Sequence, residues 1–174
     1  MVYLNRVFDD LLKAHLKAMG AVLIEGPKWC GKTTTARQLA NSVISLQDTD
    51  HRDEYMATAR TKPSYLLEGK VPRLIDEWQD APMLWDAVRT IVDERGLPGQ
   101  FILTGSNAVD DRNIHHSGTG RISRVEMLPM SLWEYGESNG SVSLMEMFEN
   151  PQEEVYATSE LKMEEIIFSA CRGG

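Results

Sequence analysis

The sequence predicts an α/β fold, a three-layer sandwich in which helices cover both faces of a mostly parallel sheet. Between Ala21 and Thr104 short apolar runs alternate with amphipathic helical patterns, as parallel strands joined by crossover helices require. The first run leads directly into Gly26-Pro27-Lys28-Trp29-Cys30-Gly31-Lys32-Thr33, the G-x-x-x-x-G-K-[ST] spacing of a phosphate-binding loop. The third run ends in Asp76-Glu77, which sets two carboxylates at the C-terminal edge of the sheet, where such sheets hold ligands.

In chain order, the segment 6–19 places Val7, Phe8, Leu11, Leu12, His15, Leu16 and Met19 at three-and-four spacing and predicts a helix that stops at Gly20 and packs on the sheet. Strands are predicted at 21–25, 42–46, 73–76 and 101–104, with helices near 33–40, 51–67 and 83–95. Gly96-Leu-Pro-Gly99 is a turn between the last of these helices and the fourth strand. The polar stretch 107–120 reads as a loop, and 121–128 as a strand closed by Pro129. His115 and His116 are adjacent, so they point apart and make no metal pair. Two modest helical patterns follow at 144–148 and 159–171, where Ile166, Ile167 and Phe168 need a partner surface. The expected organisation is a phosphate-loop domain over 1–135 and a peripheral, incomplete helical part over 136–174, the start of a lid or a C-terminal domain.

With 174 residues the chain is sized for one substantial core, and 18 Lys+Arg against 26 Asp+Glu give a net charge of −8, which argues against a globally basic nucleic-acid surface. Neither cysteine, Cys30 nor Cys171, belongs to a zinc spacing; with Cys30 inside the phosphate loop, a reducing cytoplasm is expected rather than secretion. No apolar run has the length of a signal peptide or a membrane span.

The chemistry follows from the motifs. The loop glycines let successive backbone N–H groups turn toward phosphates, Lys32 reaches the β and γ phosphates, and the Thr33 hydroxyl ligates Mg²⁺. Thr34 adds an α-phosphate contact, and the following helix directs its positive N-terminus at the anion. Hydrolysis further needs an acid that holds Mg²⁺ through water and a base that orients the attacking water; Asp76 and Glu77 supply them in that order. The strand Phe-Ile-Leu-Thr104-Gly-Ser106 ends in hydroxyls at the same edge; Ser106 or Thr104 contacts the water or γ-phosphate, and the alternative is a plain turn. Arg121 and Arg124 are candidates for a charge-stabilising arginine, from the same chain or a neighbour, whereas Arg37 reads as a surface or packing residue. Trp29 either stacks on a ligand or covers the loop. Cys30 is either a reactive thiol beside Lys32 that nucleotide shields, or a small filler pointing away.

These motifs, in this order, resemble the AAA-like ATPases of bacteria and archaea that carry a C-terminal domain of uncharacterised function. The resemblance rests on Gly26-x4-Gly-Lys-Thr, Leu-Ile-Asp76-Glu-Trp-Gln79, Phe-Ile-Leu-Thr-Gly-Ser106, Gly120-Arg121 and Leu128-Pro-Met-Ser131-Leu-Trp-Glu134, and runs from about Asn5 to Glu134. It implies ATP rather than GTP, roles for Lys32, Thr33, Asp76, Glu77 and Ser106 as above, a functional Arg121, and interest in Gln79. It also implies a longer protein, of which this chain is the N-terminal ATPase part. The expected function is Mg-dependent ATP binding and hydrolysis that drives conformational change on a macromolecular partner, protein or DNA, with a homo-oligomer supplying arginine in trans. The alternatives are a nucleotide-gated switch of negligible turnover and a small-molecule kinase.

Overall fold

The computed structural model describes residues 2–105 and 118–172. Ser106, His115 and His116 lie outside the described residues. The chain divides into two compact units, Val7–Leu128 on the one hand and Met1–Arg6 with Pro129–Gly174 on the other.

The larger unit is built on strands β1 (Ala21–Glu25), β2 (Ser42–Ser45), β3 (Arg73–Asp76), β4 (Phe101–Thr104) and β5 (Ile122–Glu126), all parallel, in the order β2-β3-β4-β1-β5. The predicted α/β sandwich is the architecture observed. Because side chains alternate across a strand, each apolar run feeds two cores. Ala21, Leu23, Ile44, Ile75, Phe101 and Leu103 face one side, where they meet Leu84, Trp85, Val88 and Val92 of helix α5 (Met83–Arg95). Val22, Ile24, Leu74, Ile102 and Val125 face the other. There they pack with Phe8, Leu12 and Leu16 of α1 (Val7–Ala18) and Ala36 of α2 (Lys32–Leu39). Each fully buried Leu or Ile contributes on the order of 2 kcal/mol.

The strands begin and end within two residues of their predicted limits, with one informative break among the helices. The helix expected over 51–67 is two helices, α3 (Arg52–Thr61) and α4 (Pro63–Leu66). Pro63 has no N–H to donate and disfavours helical geometry at the residue before it, so Lys62 takes φ −145° and ψ 70° and the axis breaks there.

In the smaller unit Arg6 and Glu134 form an ion pair at 3.0 Å with side chains only 5% and 8% exposed. Glu134 also accepts from the Ser131 N–H and hydroxyl at 2.7 and 2.9 Å, closing the turn that the Ser-Leu-Trp-Glu sequence makes. Helices α6 (Leu144–Glu149) and α7 (Met163–Arg172) follow, the second starting four residues later than the pattern suggested. Ile166, Ile167 and Phe168 are exposed on α7. No helix among the described residues is long and apolar enough to cross a membrane.

Candidate functional site

Strand register determines what meets at the sheet's C-terminal edge. Ser45 pairs with Asp76, and Ile75 pairs with Leu103, so Asp76 and Thr104 are the next residues along neighbouring strands; Thr104 in turn pairs with Ile24. Ser45, Asp76 and Thr104 therefore share one rung and one face, the face that α2 covers. β4 lies between β1, which leads into the loop at Gly26, and β3, which ends at Asp76.

Asp76, 8% exposed, gathers the hydroxyls of this rung. Its Oδ1 accepts from Thr33 Oγ1 at 2.6 Å and from Thr104 Oγ1 at 2.7 Å, and its Oδ2 accepts from Ser45 Oγ at 3.2 Å. A threonine hydroxyl has one proton. Thr33 and Thr104 both commit it to Asp76, so their lone pairs remain for another donor or a cation. Thr104 uses one of its own to accept the Glu77 N–H at 3.2 Å.

The loop is shaped by three residues of positive φ. Gly26 sits at φ 153°, and a Cβ there would lie 2.2 Å from the Met127 carbonyl oxygen, so only glycine fits against the end of β5. Trp29 takes φ 69°, and Gly31 takes φ 98° as the residue capping α2. No side chain caps α2, which leaves its first N–H groups directed into the loop. Lys32 is only 6% exposed and folds back over the loop: its Nζ donates to the Gly26 and Pro27 carbonyls at 2.8 and 2.7 Å and approaches Cys30 Sγ at 4.0 Å.

Past β3, the chain turns sharply. Glu77 adopts φ 57° and ψ 50°, a left-handed conformation costly for a side chain with a Cβ. The conformation is held on both sides: Thr104 takes the Glu77 N–H, and the next residue, Trp78, is completely buried against Trp85 with ring centroids 4.9 Å apart. Gln79 then returns to Glu77, its Nε2 donating to Glu77 Oε2.

Lys32, Thr33, Asp76 and Thr104 are thus brought together, with Glu77 adjacent through its backbone. Three alternatives left open by the sequence are narrowed. Trp29 is 95% exposed, which leaves its ring free to stack on a ligand. The Cys30 thiol is not presented to a ligand; it is 4% exposed, packed with Ile24, Ala36 and Met127, and directed at the Met127 carbonyl 3.4 Å away. Arg121 does not reach the loop within its own chain. Its carbonyl accepts from Ala21 N–H at the N-terminal edge of the sheet, and its guanidinium pairs with Asp93 at 2.6 Å. The five steps along the chain from Ala21 to Gly26 span roughly 16 Å at about 3.3 Å per residue. Arg124, mid-strand beside Leu23, pairs with Glu25 at 3.6 Å. Arg37, Lys28 and Thr34 are exposed on the loop and α2. Ser45 was not anticipated; its signal was a hydroxyl ending an apolar strand at the ligand edge, legible only once β2 is known to adjoin β3.

Sequence comparison agrees with this geometry. The chain is 30% identical over 129 residues to a protein of Mycobacterium tuberculosis and to one of Mycobacterium bovis, both described as uncharacterised. The match covers 73% of this chain and 29% of theirs, so the chain spans under a third of the length of these relatives. A family model described as an AAA domain matches residues 19–136, the segment that holds every strand and the loop described above. By fold, by loop and by this match, the chain belongs to the AAA domain family of nucleotide-binding, ATPase-like modules.

Proposed function

We propose that this chain binds ATP with Mg²⁺ at the Gly26–Thr33 loop and hydrolyses the terminal phosphate, coupling nucleotide state to conformational change on a macromolecular partner. The observation that carries the reading is the pair of threonine hydroxyls, from α2 and β4, that both donate to Asp76 Oδ1 beside the loop. The donor set is all oxygen, a hydroxyl and a carboxylate, which suits Mg²⁺. Thr33 and Asp76 would hold the ion, and the chemistry it would supply there is neutralisation of charge on the terminal phosphates.

In this reading the backbone N–H groups from Lys28 to Thr34 receive the phosphates, and Lys32 exchanges a loop carbonyl for a phosphate oxygen. Glu77 accepts a proton from the attacking water as its oxygen bonds to the γ-phosphorus. The bond from that phosphorus to the bridging oxygen breaks, ADP leaves, and the proton passes on to solvent. Thr104 aligns Asp76 and the Glu77 backbone, and Ser106, which lies outside the described residues, is assigned to the attacking water or the γ-phosphate. Arg121 acts from a second copy. The ATP preference rests on family membership.

The test is Mg-dependent phosphate release from ATP and GTP by the full chain, with K32A and E77Q alongside. K32A should weaken ATP binding at least tenfold, and E77Q should keep binding while lowering kcat by about 10²-fold or more. Unchanged turnover in E77Q would remove Glu77 from the mechanism. A nucleotide-gated module of negligible turnover is the second reading, favoured specifically by the position of Arg121 at the opposite edge of the sheet from the loop. Tight binding without release at any protein concentration would establish it over hydrolysis.

A further inference from the structure

Two polar atoms beside the site are buried without a hydrogen-bond partner among the described residues, Gln79 Oε1 and Trp78 Nε1. Both border Gly105, where a Cβ would come within 2.9 Å of each. The orientation of the Gln79 amide is determined by chemistry: a carboxylate only accepts, so the nitrogen must face Glu77 and the oxygen must face Gly105. Trp78, which stands between Glu77 and Gln79 in the chain, is fully buried and anchors the 3₁₀ turn that carries Gln79.

We propose that Gln79 is a positioning residue for the reaction, holding the Glu77 carboxylate by Oε2 so that Oε1 is the oxygen presented to the attacking water. This deepens the assignment of Glu77 as general base and rests on it. The backbone of Glu77 is fixed by Thr104 and Trp78, but its three side-chain torsions are not. A glutamate on a left-handed turn at a sheet edge has several rotamers of similar energy, and only some aim the carboxylate into the site. One amide hydrogen bond, from a residue whose own ring neighbour is buried, selects among them before substrate arrives. Selection of this kind acts on the reaction rate and leaves nucleotide affinity alone, because Gln79 has no role in gripping phosphate.

The experiment is steady-state ATP turnover by the full chain carrying Q79A, Q79E, E77Q and the Q79A/E77Q pair, with Mg-ATP affinity and thermal midpoint measured on each. Q79E keeps the shape of the side chain and sets an acceptor where the donor was, so it remains informative if Q79A loosens the turn. Both single variants of Gln79 should lower kcat roughly ten- to a hundredfold with KM and affinity within about twofold of the parent. In the E77Q background Q79A should change the residual turnover by less than about twofold, since there is no carboxylate left to aim. A loss carried by KM, a full additional loss in the E77Q background, or a rise in kcat on removing the amide would each overturn the proposal. If E77Q itself turns over like the parent, the general-base assignment fails, and the Gln79 inference falls with it; the E77Q arm separates that failure from the others.

Discussion

Cys30 shows how a residue can belong to a binding loop without contributing its side chain to the ligand. Its neighbours Trp29 and Gly31 both take positive φ, and the resulting backbone path turns the thiol inward to Ile24, Ala36 and the Met127 carbonyl. A thiol buried in this way is chemically inert on the time scale of an exposed one. Cys171 is exposed. In a C171S variant, maleimide labelling should therefore be slow both with and without Mg-ATP, and become fast on unfolding. Rapid labelling that nucleotide blocks would show that the loop opens far enough to expose the sulfur.

At the scale of elements, the placement of β4 between β1 and β3 gives Thr104 its importance. Its hydroxyl donates to Asp76 and accepts from Glu77 N–H, joining the end of one strand to the turn after another. T104V preserves volume and removes both bonds, leaving Asp76 short of a donor and the left-handed Glu77 without its backbone partner. The expected result is a loss of about 1–3 kcal/mol in stability and at least a tenfold fall in turnover, whereas T104S should recover most of both. Chemical denaturation and phosphate release on the pair check it; equal behaviour of the two variants would mean that the hydroxyl does not matter. The break at Pro63 and the burial of Trp78 belong to the same scale, since each depends on one residue meeting one neighbouring element.

For the whole molecule, the question is whether one chain holds a complete site. Arg121 is on the edge of the sheet opposite the loop, so a copy completes another's site where the loop edge of one meets the opposite edge of the other, in a reciprocal antiparallel pair or in a head-to-tail ring or filament. Turnover per chain should then rise with protein concentration. The rise should disappear in R121A, and R121A mixed with K32A should recover part of the activity, because each supplies what the other lacks. Turnover that is independent of concentration, and unchanged in R121A, would exclude the arginine.

The fold class, nearly all strand limits, the loop and the acidic pair are legible in the sequence, because each is written in local patterns: apolar runs bounded by polar residues, fixed glycine spacing, and a carboxylate doublet closing a strand. What those pieces meet depends on the folded chain. Strand order, which no local pattern encodes, put Thr104 and Ser45 on Asp76, and the parallel register of β5 beside β1 set Arg121 at the edge away from the loop. Backbone angles at Trp29 and Glu77 decided where the side chains of Trp29, Cys30 and Glu77 point. Such outcomes come from contacts between residues far apart in the chain, where packing and hydrogen-bond satisfaction outweigh local preference.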